Sequence, residues 1–155
     1  MDKTIIISKA RIVEEIRKSV SNGERISIYA SGNSMNPLIV HQRDQIELGP
    51  YTDDDIRKGA VVLAKDQNGD YIIHRIVDRK DDQITLMGDG NLQLKETAYI
   101  SDVIAIMYSI TRKGKVWTSD SRKWRVYSWI WQTLTPVRRL PLGIWRRISG
   151  HRAIR

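Results

Sequence analysis

The stretch Lys65–Asn91, KDQNGDYIIHRIVDRKDDQITLMGDGN, decides how the fold of this chain is read. Asn68-Gly69 is a pair suited to a two-residue hairpin, because both residues tolerate positive φ. Beyond it, DYIIHRIVDR is rich in β-branched side chains and reads as a long strand. Asp81-Asp82 marks a second turn, QITLMG a further strand, and Gly88 to Asn91 a third turn.

The same rhythm extends outward in both directions. RISIYA (25–30) and DQIELG (44–49) alternate apolar and polar residues. GAVVLAK (59–65) and VIAIMYSI (103–110) are continuous apolar runs, and KVWTS (115–119) follows the Lys113-Gly114 turn to close the sheet. Many short strands with tight turns and no alternating helices predict a mainly β domain, not a doubly wound one. In front of them Ser8 is an N-cap for a helix over about 8–22 with Ile12, Val13, Ile16 and Val20 on one face, stopped by Asn22-Gly23. A single helix makes no helix-turn-helix. These features predict a β body over about 25–117 within a domain 1–119, followed by a tail 120–155.

The net charge of +8 is concentrated in that tail. Residues 1–110 hold 14 Lys/Arg against 17 Asp/Glu, whereas 111–155 hold 12 Lys/Arg against the single acid Asp120. Trp124, Tyr127, Trp131 and Leu134 fall at helical spacing, with Ile130 on the same side, and Pro136 interrupts. After Pro141, Ile144, Trp145 and Ile148 line a second face beside Arg146 and Arg147. Trp and aliphatic residues opposite Arg suit a helix in an anionic membrane interface. The alternative is that the Trp-rich turn packs on the body. Nucleic acid is the weaker partner, because no aromatic-studded strand or known motif supports it. The only N-terminal apolar run, Ile5 to Ile7, is too short for a signal peptide, and no run approaches a membrane span. The expected location is the cytoplasm, peripheral to the inner face of the membrane.

The chain has no Cys, so it has neither disulfides nor thiolate chemistry, and His41, His74 and His151 are too few to suggest zinc. No metal and no cofactor is expected. The stretch ASGNSMNPLI (30–39) draws attention instead. Gly32 accepts unusual backbone angles and Pro37 fixes its own, so Ser34 sits on a stiffened bend. A serine hydroxyl needs a neighbouring base to become a nucleophile. His74 lies on a strand whose alternation puts Ile72 and Ile76 on its side and Ile73, Arg75 and Val77 on the other. Asp89, between two glycines, is an acid able to orient it. Each feature alone is an ordinary turn or core residue.

Taken in order, SGNSMNPLI, RKGAVVLAK, YIIHRIV and LMGDGN resemble the successive boxes of the signal peptidase and LexA-type serine peptidases, over roughly residues 26–110. The resemblance implies a coiled antiparallel β-sheet domain and a Ser-His peptidase that cleaves a precursor or leader peptide. Within it Ser34 matches the nucleophile, Met35 a wall of the substrate pocket, Pro37 the rigid turn and His74 the base. Arg75 matches the basic residue after the base, expected in an ion pair, and Asp89 the acid of the Gly-Asp box. Glu96 lies near where some relatives keep a second acid. Gly32 stands where some relatives keep a hydroxyl that helps hold the oxyanion, which leaves that task to the Ser34 backbone N–H, aided by Asn33 or a water. Ala60 replaces the usual Asp. An extended peptide substrate would pair with the strand RISIYAS. The alternative is a peptidase fold without catalysis that binds peptides or a membrane partner.

Overall fold

Four consecutive residues of one strand, Val61, Val62, Leu63 and Ala64, are all buried, and they feed two different cores. Val61 and Leu63 join one hydrophobic cluster; Val62 and Ala64 join the other. A strand covered on both faces has no reason to alternate, which is why GAVVLAK reads as a continuous apolar run.

The structure is a computed structural model and describes residues 8–91, 94–134, 137 and 139–149. Helix α1 (Lys9–Ser21) precedes strands β1 (Ile26–Tyr29), β2 (Asp44–Gly49), β3 (Val61–Lys65), β4 (Tyr71–Lys80), β5 (Gln83–Met87), β6 (Glu96–Tyr99), β7 (Val103–Arg112) and β8 (Lys115–Thr118). Helices α2 (Arg122–Thr133) and α3 (Arg139–Ser149) follow. The strands form one antiparallel sheet in the order β1-β2-β7-β3-β4-β5-β6, with β8 also paired to β7. The described residues are therefore mainly antiparallel β, with one α-helix before the sheet and two after it. Ile5 to Ile7, Pro136 and His151 lie outside the described residues.

The local signals act as read. Ser8 Oγ accepts from the Arg11 N–H at 3.3 Å and caps α1, while Asn22 ends it. In the KDQNGDY hairpin, Asp66 Oδ1 accepts from the Asn68 and Asp70 N–H groups, both at 2.9 Å. One strand had no sequence signal. β6 is four residues long, ETAY, and β5 sets its register by pairing Leu86 with Glu96 and Ile84 with Ala98. So short an edge strand takes its place from its neighbour more than from its own periodicity.

The first core packs α1 through Val13 and Ile16 against Ile46, Leu48, Leu63 and Met107 of the sheet, with Met35, Ile39 and Trp124 completing it. The second gathers Ile56, Val62, Ile76, Ile84, Leu86, Ala98 and Val103. Trp124 belongs to α2, so residues 122–133, grouped by composition with the basic tail, are packed into the body. Ile130 does not share that packed side as expected. It is 41% exposed, because the buried residues of α2 are Trp124, Ser128 and Trp131 and Ile130 falls away from that line.

Candidate active site

Ser34 sits in the connection between β1 and β2, and that connection is fixed from several sides. Gly32 has φ +88 and donates its N–H to His41 Nδ1 at 3.0 Å. The Asn36 N–H donates to Asn33 O at 3.1 Å, and the Ile39 N–H to Met35 O at 3.0 Å. The Asn36–Pro37 bond is cis. Met35 drives its side chain into the first core, which anchors the residue next to Ser34. At the far end Asp44, fully buried, accepts from the Val40 N–H at 2.9 Å and from both Arg43 and Arg112. Burial alone would raise the Asp44 pKa. The hydrogen bonds from Arg43, Arg112 and Val40 outweigh it and hold the carboxyl below its ordinary value. Arg112 also donates to Leu38 O at 2.6 Å, tying the connection to β7.

The Gly-Asp-Gly segment lies directly on this turn. The Gly90 N–H donates to Ser34 O at 2.7 Å, and the Asp89 N–H reaches Met35 Sδ at 3.4 Å. A Cβ at Gly88 would stand 2.2 Å from Ser34 O, and one at Gly90 would stand 2.7 Å from Asn33 O. The two glycines are thus required by backbone-to-backbone approach. They let residues 88–90 hold the Ser34 carbonyl in place.

His74, on β4, is only 4% exposed, yet it shares a cleft with Ser34. The cleft has a volume of about 890 Å³, with α1 and Tyr71 and Ile73 of β4 among its walls and Asn91 and Arg146 also lining it. His74 Nδ1 is 3.0 Å from Glu96 Oε2. A carboxylate only accepts, so Nδ1 carries the hydrogen and the neutral ring keeps Nε2 as its acceptor. The Ser34 N–H donates to no protein acceptor among the described residues.

Asp89 takes a different partner from the one expected of it. Its carboxylate receives Arg75 Nε and Nη2, each at 2.8 Å, and the Tyr127 hydroxyl at 3.2 Å. Arg75 and Asp89 are both 0% exposed. Arg75 Nη1 donates to Gly59 O at 2.9 Å and to Ser128 Oγ at 2.6 Å, and the Trp131 Nε1–H donates to Asp89 O at 2.9 Å. Burial disfavours the guanidinium charge, but Asp89 outweighs this and raises the Arg75 pKa. The ion pair expected for Arg75 is therefore present, and its acid is Asp89. The acid beside the imidazole is Glu96.

The structure thus groups Ser34, Asn33, Met35, Gly32 and His74 around one cleft and sets Glu96 behind the imidazole. Asn33 Oδ1 is a buried acceptor without a hydrogen-bond partner among the described residues. Pro37 remains part of the turn, off the cleft lining. Sequence reasoning missed His41, whose ring engages the Gly32 N–H, and the α2 side chains Tyr127, Ser128 and Trp131, which close over the ion pair. Helical spacing did single out Tyr127 and Trp131, but not what they would touch. No family model, characterised protein or solved structure matches this chain. No group of acidic or His side chains suited to a metal occurs among the described residues.

Proposed function

We propose that this chain is a serine peptidase of the signal peptidase and LexA type, acting on an extended segment of a precursor or leader peptide. The observation that carries the proposal is the sharing of one cleft by Ser34 and His74, with the imidazole backed by Glu96 at 3.0 Å. Ser34 Oγ attacks the scissile carbonyl while His74 Nε2 takes its proton. The bond from carbonyl carbon to leaving nitrogen then breaks, and His74 returns the proton to that amine. Water repeats the sequence on the acyl-serine. Glu96 keeps the productive tautomer and stabilises the imidazolium as it forms. The Ser34 N–H is the oxyanion donor, since the Gly32 N–H is committed to His41. A site short of one such donor is slower by ~10²–10³. Arg75 and Asp89 act as positioning residues, through the 88–90 backbone laid on the Ser34 turn.

A fluorophosphonate probe tests this directly. It should label Ser34, and Ser34→Ala should abolish the labelling. Cleavage of candidate precursor peptides should vanish in the same variant. Cleavage that persists in Ser34→Ala, or a probe that never reaches Ser34, refutes the proposal.

A further inference from the structure

Helix α3 carries a stripe that nothing in the described chain covers. Leu140, Ile144 and Ile148 recur every four residues and are 71%, 60% and 81% exposed. They therefore lie along one face of the helix. The opposite face is held down by Leu142, which is 1% exposed. Arg146, one turn on from Leu142, lines the Ser34 cleft and reaches Gly90 O at 3.4 Å. Helix α2 repeats the pattern. Its packed side is Trp124, Ser128 and Trp131, and its outer side shows Val126, Ile130 and a Trp129 that is 69% exposed. No described helix is long and apolar enough to cross a membrane.

The charges around these stripes choose the occupant. Arg122, Lys123, Arg125 and Arg147 are all exposed; Asp120 is the only acid from residue 111 onward, and Asp55 of the body joins it on the cleft that Arg125 and Trp129 line. Two helices that bury one side on the body, turn aliphatic residues and a Trp outward, and flank them with cations fit an anionic bilayer surface. We infer that the outer faces of α2 and α3 form a membrane-docking surface for anionic phospholipid, which sets the Ser34 cleft beside the headgroups. The docking is independent of the chemistry; that the docked cleft meets peptides at the membrane surface rests on the peptidase proposal.

Vesicle flotation of the full chain tests it, comparing phosphatidylcholine alone with phosphatidylcholine mixed with phosphatidylglycerol. Binding should require phosphatidylglycerol and weaken with salt. Leu140→Gln, Ile144→Gln and Ile148→Gln together should lower partitioning by roughly a hundredfold, since each loses its burial among lipid chains. Arg147→Gln should lower it by about fivefold. An unchanged melting temperature shows that the variants fold. Equal binding to both vesicle types, or triple-variant binding like wild type, overturns the inference. So does a dimer that the triple variant abolishes, which would make a second copy the occupant. Ser34→Ala should dock as wild type does. Docking without Ser34 labelling would sink the peptidase proposal and leave the surface standing.

Discussion

Replacing Asp89 by Ala removes the acceptor of two Arg75 hydrogen bonds at 2.8 Å and of one from Tyr127 at 3.2 Å. The guanidinium keeps Gly59 O and Ser128 Oγ but no counter-charge, and at 0% exposed it has no water to replace one. Leaving a buried charge unpaired costs about 3–5 kcal/mol. For a chain of this size each kcal/mol lowers the melting temperature by about 2–4 °C, so the expected fall is roughly 6–20 °C. Circular dichroism melts at low and high salt are the assay. The fall should be insensitive to salt, because a buried pair is poorly screened. Asp53→Ala supplies the contrast. Its ion pair with Arg79 has an Asp side chain 72% exposed, and such surface pairs contribute only ~0–1 kcal/mol. The double replacement Arg75→Met with Asp89→Leu should recover much of the loss, since removing both charges removes the desolvation problem. A fall of less than about 2 °C for Asp89→Ala, or no recovery in the double variant, would refute the view that this pair anchors α2 and the 88–90 segment to the body.

Three further substitutions probe the site. Glu96→Gln should lower the rate of Ser34 chemistry by about 10⁴ through the wrong imidazole tautomer, with little change in melting temperature; near-wild-type acylation would remove Glu96 from the relay. Gly88→Ala drives a Cβ toward Ser34 O, to 2.2 Å if nothing moves, and overpacking of that kind costs about 1–3 kcal/mol. Probe labelling of Ser34 should fall as the turn shifts, and unchanged labelling would show that the 88–90 backbone does not position it. Asp44 has a folded-state pKa below its ordinary 3.8. Its contribution to stability is therefore complete above that value and is lost as pH falls through the lower, folded one. Asp44→Asn should be less stable at neutral pH with a flatter acid limb in urea titrations, and an acid limb parallel to wild type would count against the assignment.

How far the site was legible follows from which interactions are local. The Ser34 bend could be read because Gly32 and Pro37 impose backbone geometry within a few residues of it. The GDG segment could be read as a special turn, but not for its true reason. Its glycines answer to the carbonyls of Asn33 and Ser34, which approach from a distant part of the chain. Asp89 stands in a motif, which makes it the expected orienting acid. No motif anchors Glu96, and only the β5–β6 register brings it to the imidazole. Arg75 follows His74 immediately, yet the two side chains take different acids. Alternation separates neighbours on a strand, while their partners arrive from other elements.

By itself the sequence determined the hairpins, the N-capped first helix, the continuous apolar run of GAVVLAK and the basic, Trp-rich character of the last segment. These are matters of backbone preference and hydrophobic period, settled over a few residues at a time. Only the tertiary structure decided which carboxylate serves His74 and which neutralises Arg75. It also decided that α2 buries Trp124, Ser128 and Trp131 while leaving Trp129 and Ile130 outward. A charge selects its partner by proximity in three dimensions and by the cost of remaining unpaired out of water, and neither quantity is written in spacing along the chain.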